Sequence, residues 1–296
     1  MLRSVTAAKL TFYFPIKGSD FMDILYFLAA LIALYVLLLR GRSGHPLWPE
    51  LRKWAYAHRG LHGEGRPENS LSAFRAALEG GYGIELDLHL LKDGNLAVMH
   101  DSLLKRTTGA EGRIEDLTTA DLKHYRLEGT DETIPTFQEV LDLFAGKAPM
   151  IVELKPVGKN HAALCQTACD ILKDYPGLYC MESFDPRCVR WLKLNRPKIV
   201  RGQLSQNFLK NGENLSWPLR FLLTCNLLNF MGYPDFIAYQ FADRNTLSND
   251  NCRRIWRVQG VSWTLRSQEE YDTAVKEGWI PIFENFRPPV RERVES

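Results

Sequence analysis

The chain has 296 residues, which is enough for one large domain or two of modest size. Hydrophobic residues make up 45% of the chain and charged residues 24%, and the net charge is +2. So balanced a charge argues against a nucleic-acid-binding protein, which usually carries a strongly basic face. The six cysteines include no C-x-x-C pair and are scattered, which favours reduced thiols over a disulfide framework.

An apolar segment near the N-terminus predicts a transmembrane helix. Residues 24–39 carry no charge, and at about 1.5 Å per residue they cover roughly 24 Å of the ~30 Å hydrocarbon core. A buried helix would normally carry a polar stripe, and a cleavable signal peptide would be followed by small residues rather than by Arg40-Gly41-Arg42. We therefore predict an N-terminal extension at 1–21, a membrane anchor at 22–40, a linker at 41–53 and a folded domain at 54–296.

The distribution of basic residues predicts the orientation of this anchor. More basic residues follow the span than shortly precede it, namely Arg40, Arg42, Arg52 and Lys53 against Lys9 and Lys17. The positive-inside rule therefore predicts a single-pass membrane protein with a cytoplasmic C-terminal domain. A translation start at Met22 would remove both preceding lysines and strengthen the asymmetry, and the sequence leaves both start sites open.

Beyond the linker, short apolar runs alternate with helix-like segments, which predicts βα units and a parallel sheet. Eight predicted strands favour a (β/α)8 TIM barrel. An open doubly wound sheet is the alternative, but no glycine-rich phosphate-binding loop follows the first strand. The predicted strands are 54–57, 83–88, 150–155, 178–183, 199–204, 236–240, 259–264 and 280–284.

The second predicted strand contains two acids in an apolar run. Glu85 and Asp87 lie two positions apart and so share one face of a strand. Burying carboxylates without a positive partner is costly, so we expect a partner for them. Asp93-Gly94 predicts a two-residue hairpin loop, and the resulting register would place His100 directly opposite Asp87. The strand would then extend beyond the barrel rim, fold back, and bring His100 level with both acids.

Three further motifs end predicted strands and should reach the same rim, where barrel enzymes keep their catalytic groups. These motifs are His58-Arg59-Gly60 after the first strand, Glu153-x-Lys155 at the third and Trp263-Thr264 at the seventh.

The residue types at this rim indicate a phosphate-directed chemistry. Carboxylate oxygens from Glu85, Asp87 and Glu153 suit one hard divalent cation, Mg²⁺ or Ca²⁺. Two histidines beside a metal suit a general acid and a general base near neutral pH, and an arginine with a lysine could hold an anion. Metal, acid, base and anion-binding groups together predict attack at phosphorus.

The order of these motifs closely resembles the glycerophosphodiester phosphodiesterase family. The resemblance runs from about residue 56 to near the C-terminus. It is carried by H-R-G (58–60), P-E-N-S (67–70), A-F (73–74), E-L-D-L (85–88), D-G (93–94), H-D (100–101), R-T-T-G (106–109), I-P-T-F-Q-E-V-L (134–141), E-L-K (153–155), S-F (183–184) and W-T (263–264).

The resemblance implies a TIM barrel with a small insertion, here at about 101–133, and an enzyme that hydrolyses glycerophosphodiesters to glycerol phosphate and an alcohol. It also implies a role for each motif residue. His58 and His100 would be the acid–base pair, Glu85, Asp87 and Glu153 the ligands of one divalent cation, Arg59 and Lys155 the phosphate-binding residues, and Trp263 part of the glycerol pocket.

The resemblance leaves the roles of two residues open and is broken at two short motifs. Glu68 and Asn69 could form a loop before a helix N-cap or contact Arg59. The chain departs from the family where W-T-x-N is replaced by W-T-L-R (263–266), and where a final Thr-Asp is replaced by Glu284-Asn285. We expect both positions at the margin of the pocket, where they would affect the choice of leaving alcohol more than the reaction.

We therefore expect metal-dependent hydrolysis of small glycerophosphodiesters at the membrane surface, without nucleic-acid partners. The alternative is phospholipase D-like hydrolysis of lysophospholipids or polyglycerol-phosphate chains. The apolar stretch 217–231 bears on this choice, because it could be a helix packed on the barrel or a lid that dips into a membrane. A catalytically inactive binding module would be expected to lack a histidine or a metal ligand, and none is missing.

Overall fold

The computed structural model describes residues 18–212 and 214–290. Most of the predicted N-terminal extension, including Lys9 and Lys17, lies outside the described residues. The chain forms two units, one that ends at Leu37 and a larger one that begins at Leu38.

Helix α1 (Gly18–Leu38) forms the described part of the first unit and ends at the first residue of the second. Its segment Phe21–Leu38 has a mean hydropathy of 2.4 and is not buried by the rest of the protein. The helix is long and apolar enough to cross a membrane, but a signal sequence near an N-terminus would have the same properties. The membrane anchor therefore stays a prediction.

The second unit is a closed barrel of eight parallel strands, which confirms the predicted TIM fold. The first strand pairs with both the second and the last, and this pairing closes the sheet. The short third strand is antiparallel to the second and lies outside the barrel. The strands are β1 (Tyr56–Ala57), β2 (Gly83–Leu90), β3 (Leu96–Val98), β4 (Met150–Leu154), β5 (Tyr179–Ser183), β6 (Arg201–Ser205), β7 (Phe236–Gln240), β8 (Gln259–Leu265) and β9 (Trp279–Phe283).

Eleven helices accompany the barrel in the described residues, and their caps explain where several of them begin. Ser70 accepts a hydrogen bond from the Ala73 amide, and Thr136 forms a full capping box with Glu139. The helices are α2 (Trp48–Leu51), α3 (Leu71–Glu79), α4 (Lys105–Thr108), α5 (Phe137–Phe144), α6 (His161–Ile171), α7 (Pro186–Asn195), α8 (Phe208–Asn211), α9 (Trp217–Thr224), α10 (Asn229–Gly232), α11 (Leu247–Arg254) and α12 (Gln268–Lys276).

The predicted register of the β2–β3 hairpin is wrong by one residue. Leu88 pairs with Val98, and the Met99 amide donates to the Asp87 carbonyl oxygen at 3.1 Å, so Met99 rather than His100 lies opposite Asp87. The cause is the loop, which has three residues instead of two and ends at Gly94 in the left-handed conformation (φ 86°). The β3 ladder ends at Val98, so the alternation of the strand does not fix the position of His100.

The inserted segment after β3 packs around a small apolar core of its own. Leu104, Ile114, Leu122 and Leu127 are buried there together with Met99. Helix α4 and two short 3-10 turns account for its regular structure.

The segment predicted as a linker, residues 41–53, is a folded part of the barrel unit. Trp48 and Leu51 are buried against residues at the amino-terminal ends of the strands, and Trp48 meets Phe236 edge-on at 5.8 Å. Arg42 forms a two-bond ion pair with the fully buried Asp235, at 2.5 and 2.7 Å. The segment therefore packs on the barrel unit through Trp48, Leu51 and Arg42. The α1 helix accordingly ends at Leu38, two residues before the predicted end of the anchor.

Candidate active site

Three carboxylates converge inside the barrel, from two neighbouring strands. Glu85 and Asp87 lie on β2, Glu153 lies on β4, and Asp87 pairs directly with Glu153 across the sheet. All three are almost fully buried. One oxygen from each lies within 4.8 Å of the others, which is close enough for the three to share one cation.

The electrostatics of this trio suit a bound cation. Burial raises the pKa of Glu85 well above its usual value, and the negative charges of Asp87 and Glu153 raise it further. Burial also raises the pKa of Glu153 to about 7, although Lys155 opposes this shift. Burial would raise the pKa of Asp87 as well, but Lys155, His100 and Arg59 outweigh it and hold that pKa well below normal. A divalent cation would relieve the crowding of negative charge at Glu85 and Glu153.

Lys155 and Arg59 provide the positive partners that the buried acids require. The Lys155 Nζ atom lies 2.8 Å from Glu153 Oε1 and 3.1 Å from Asp87 Oδ1. The Arg59 Nε atom lies 3.6 Å from Asp87 Oδ2, and its backbone amide donates to Glu85 Oε2 at 3.1 Å. Both cations are largely buried at the edge of the trio, where a phosphate group could contact them.

His58 and His100 flank the acids, and each imidazole has one nitrogen held by a carboxylate. His58 Nδ1 lies 3.2 Å from Glu284 Oε2, and its Nε2 lies 3.8 Å from Glu85 Oε2. His100 Nδ1 lies 2.7 Å from Asp101 Oδ1. This arrangement fixes each ring through Nδ1, so Nε2 is the nitrogen available for proton transfer.

Burial favours the neutral form of both imidazoles, and their carboxylate partners oppose it. Burial lowers the pKa of His100 to about 4, although the charge of Asp87 and the hydrogen bond with Asp101 oppose the shift. Burial likewise lowers the pKa of His58, although its hydrogen bond with Glu284 opposes that shift. A neutral imidazole can accept a proton from an attacking hydroxyl group.

The P-E-N-S motif serves both purposes that the sequence left open. Ser70 caps helix α3, while Glu68 binds Arg59 with an Oε1–Nη1 distance of 3.0 Å. Asn69, in the left-handed conformation, donates from Nδ2 to Asp87 Oδ2 at 2.8 Å. The motif therefore orients a cation and a carboxylate of the site.

Three further acids of the site were not predicted to be functional. Glu284 holds His58 and also contacts Arg266 Nη2 at 3.1 Å, and Asp101 holds His100. Glu182 is buried beside Glu153 on β5, and its pKa is raised well above normal by burial and by the neighbouring negative charges. Position was the available signal, because Glu284 directly follows the last strand and Asp101 directly follows His100.

The eight predicted site residues all lie in one region at the carboxyl-terminal end of the barrel. The floor of the catalytic cavity is lined by both histidines, Arg59, Glu85, Glu153, Glu182, Phe184 and Trp263. A neighbouring cavity of about 650 Å³ shares His100, Glu153 and Phe184 with it and is also lined by Lys155. His89 is structural, since it joins Glu115 of the insertion (2.8 Å) to the His100 carbonyl oxygen (3.2 Å).

Comparison with known sequences finds several phosphodiesterases among the relatives of this chain. A sequence profile of the Glycerophosphoryl diester phosphodiesterase family matches residues 58–286. Glycerophosphodiester phosphodiesterase from Bacillus altitudinis is 43% identical over 34% of this chain and 43% of its own length. Glycerophosphodiester phosphodiesterase 1 from Rattus norvegicus is 29% identical over 77% of this chain and 76% of its own. A second rat protein, named lysophospholipase D GDPD1, is 34% identical over 40% of each chain.

The alignments to two bacterial relatives are partial, spanning 43% of the Bacillus protein and 65% of one from Caldanaerobacter subterraneus. Solved structures share the fold over a larger part of the chain. A phosphodiesterase from Oleispira antarctica, solved with the product sn-glycerol-3-phosphate, has a TM-score of 0.67 at 20% identity and covers 80% of this chain and 94% of its own. A glycerophosphodiester phosphodiesterase from Thermotoga maritima has a TM-score of 0.60 at 25% identity, covering 78% and 93%.

Proposed function

The chain belongs to the glycerophosphoryl diester phosphodiesterase family, and on that premise we propose that it hydrolyses glycerophosphodiesters to glycerol phosphate and an alcohol. The observation that carries the proposal is the convergence of three buried carboxylates between two carboxylate-held histidines. Such a combination of metal ligands, acid–base groups and cations is what phosphodiester hydrolysis requires.

The cofactor in this proposal is one divalent cation, Mg²⁺ or Ca²⁺, held by Glu85, Asp87 and Glu153. Oxygen ligands alone suit both of these hard cations. When bound, the cation would withdraw electron density from a phosphate oxygen and so make the phosphorus easier to attack. The raised pKa values of Glu85 and Glu153 support this assignment, because crowded carboxylates gain from a positive charge between them.

The remaining steps belong to the side chains of the chain itself. Arg59 and Lys155 contact the phosphate oxygens and orient the diester, and Trp263 lines the pocket for the glycerol group. One histidine accepts a proton at Nε2 from the attacking hydroxyl, which is either water or the glycerol 2-hydroxyl. The other histidine acts in its protonated form and donates the Nε2 proton to the oxygen of the leaving alcohol as the phosphorus–oxygen bond breaks. The carboxylate that holds its Nδ1, Glu284 or Asp101, favours this protonated form.

The proposed setting of this reaction is a membrane surface. The chain would be a single-pass membrane protein anchored by α1 with a cytoplasmic barrel, and its substrates would be small glycerophosphodiesters. The length and hydropathy of α1 and the basic residues that follow it support this location. We propose an anchor up to Leu38 and a catalytic unit that includes the segment from Leu39 onward, because Leu39 is fully buried in the larger unit.

A second candidate is phospholipase D-like hydrolysis of lysophospholipids. It is favoured by apolar surface beside the catalytic cavity and by the likeness to the relative named lysophospholipase D. Polyglycerol-phosphate chains remain the other alternative substrate, and the assay below includes them.

The test is an assay of glycerol phosphate release by the purified full-length chain. Glycerophosphocholine, glycerophosphoethanolamine, lysophosphatidylcholine and polyglycerol phosphate would each be supplied with Mg²⁺, with Ca²⁺ or with excess chelator. Lysophosphatidylcholine would be followed through choline release. Hydrolysis of none of the four would refute the proposed function, and full activity in excess chelator would refute the metal assignment.

Variants with matched controls then test the residue roles. His58→Ala and His100→Ala should each lower kcat by about 10²- to 10⁴-fold, because each removes a proton-transfer group. Glu85→Gln should abolish metal-dependent activity. His124→Ala and Glu79→Gln change the same residue types at exposed positions and should retain wild-type rates. Wild-type activity in either histidine variant would remove that residue from the mechanism.

A further inference from the structure

Beside the catalytic cavity lies an apolar groove, defined here by Phe184, Phe208, Leu215, Leu219 and Leu223. Its volume is about 450 Å³, within the range of roughly 300–1,000 Å³ that is typical of small-molecule sites. Leu219 and Leu223 lie four residues apart and so share one face of α9, and Leu215 lies just before that helix. The groove therefore has one wall made of α9 and the leucine before it, and another made of two aromatic rings and the start of α7, with Asp185 and Arg187 at its edge.

The groove adjoins the catalytic cavity at Phe184. This residue directly follows β5 and lines both the groove and the cavity that holds the two histidines. Its ring meets Trp263 edge-on at 5.7 Å on one side and Phe208 edge-on at 5.8 Å on the other. A row of three aromatic rings thus leads from the catalytic cavity into the groove.

The outer side of α9 is apolar as well. Trp217 is 67% exposed, Phe221 is 40% exposed, and their rings stack at 5.8 Å. Leu209 on the neighbouring α8 is 44% exposed. Clustered exposed apolar side chains commonly mark a site that binds an apolar ligand or surface.

We propose that the apolar groove binds the acyl chain of a monoacyl glycerophosphodiester whose phosphate lies at the catalytic centre. This inference rests on the proposed function and specifies its substrate class. The chain would pass over Phe184 from the cavity and lie along Leu219 and Leu223. In the reaction water adds to phosphorus, the bond between phosphorus and the alcohol oxygen breaks, and that oxygen takes up a proton. The products are a monoacylglycerol phosphate and a free alcohol.

The experiment compares substrates that differ only in acyl length. The full-length chain in lipid nanodiscs would be assayed with glycerophosphocholine and with its monoacyl derivatives from butanoyl to decanoyl, all below their critical micelle concentrations. We expect kcat/KM to rise by about two- to fourfold for each added methylene, because full burial of a methylene contributes about fourfold (~0.8 kcal/mol) and an open groove buries only part of it.

Variants on the two faces of α9 locate the binding site. Leu219→Asn should flatten the dependence on chain length and leave glycerophosphocholine hydrolysis unchanged. Leu219→Trp, which keeps the position apolar but fills the groove, should shift the preference to shorter chains. Phe221→Ser, on the same helix but outside the groove, should keep the wild-type dependence.

Three results would overturn the proposal. One is a flat chain-length dependence in the wild-type protein while glycerophosphocholine is hydrolysed, which would leave the proposed function intact. Another is a wild-type dependence in both Leu219 variants. The third result combines two observations. The dependence of kcat/KM on chain length is flat for monomeric substrates, and Phe221→Ser loses activity only when lysolipid is presented in phosphatidylcholine vesicles. Together they would identify a membrane-docking surface instead. Failure to hydrolyse even glycerophosphocholine would refute the proposed function together with this inference.

Discussion

Replacing Glu284 by glutamine tests whether this residue holds His58 for catalysis. Glu284 Oε2 lies 3.2 Å from His58 Nδ1, and Arg266 Nη2 lies 3.1 Å from the same oxygen. The pKa of Glu284 is lowered to about 2, chiefly by its hydrogen bond with His58 and despite partial burial. Glu284 is therefore ionised throughout any practical assay range, and its interaction with His58 would weaken only as the pH falls below about 4.5 towards 2.

The expected loss follows from the strength of a charged hydrogen bond. Such a bond contributes about 1.5–3 kcal/mol, and each 1.36 kcal/mol of lost transition-state stabilisation lowers the rate tenfold. Glu284→Gln keeps the shape of the side chain but removes its charge, so kcat should fall by about 10- to 100-fold. KM should change much less, because Glu284 does not line the floor of the catalytic cavity.

Initial rates with glycerophosphocholine at several substrate concentrations would separate kcat from KM. Glu284→Asp should recover part of the lost rate, since it restores the charge, whereas Glu79→Gln should have no effect. The reasoning fails if Glu284→Gln turns over at the wild-type rate while His58→Ala is inactive. It also fails if the loss appears only in the free energy of unfolding, because Glu284 would then be a purely structural residue.

Three other predictions follow from the structure. Asp101→Asn should weaken the contact that orients the His100 ring and lower kcat by about tenfold or more, measured from initial rates with glycerophosphocholine. An unchanged kcat would remove Asp101 from the mechanism. Arg42→Ala should lower the free energy of unfolding, measured by urea titration, by about 3 kcal/mol, because it leaves the buried Asp235 without its main partner. As a control, Arg254→Ala removes an exposed ion pair with Asp250 and should change the free energy of unfolding by less than about 0.5 kcal/mol. When the free cation concentration is 100 times its Kd, binding adds about 2.7 kcal/mol to the free energy of unfolding. Excess chelator should remove this contribution and lower the Tm, and an unchanged Tm would contradict a resident cation.

The sequence was sufficient to predict the barrel and the residues that gather at its rim. Each predicted strand overlaps an observed barrel strand, with ends that differ by at most two residues. Apolar runs alternating with amphipathic segments encode this pattern locally. Glu85 and Asp87 lie on one face of β2 as predicted, because the alternation of side chains along one strand needs no tertiary information.

The hairpin shows where local reasoning reached its limit. Asp93-Gly94 correctly predicted a turn, but the turn dipeptide is compatible with loops of two or three residues. The three-residue loop moved the register by one position. His100 nevertheless lies in the site, because it comes after the paired part of β3 and is placed by Asp101 and by the insertion.

The sequence by itself determined which side chains are available and which strand ends carry them. Only the tertiary structure decided how they pair, because those partners are distant in the chain. His58 and Glu284 are 226 residues apart and meet because β1 pairs with β9 when the barrel closes. Arg42 and Asp235 are 193 residues apart and meet in the same folded unit, where Trp48 and Leu51 also pack. Local alternation is a property of one strand, whereas these contacts exist only after the whole sheet has closed.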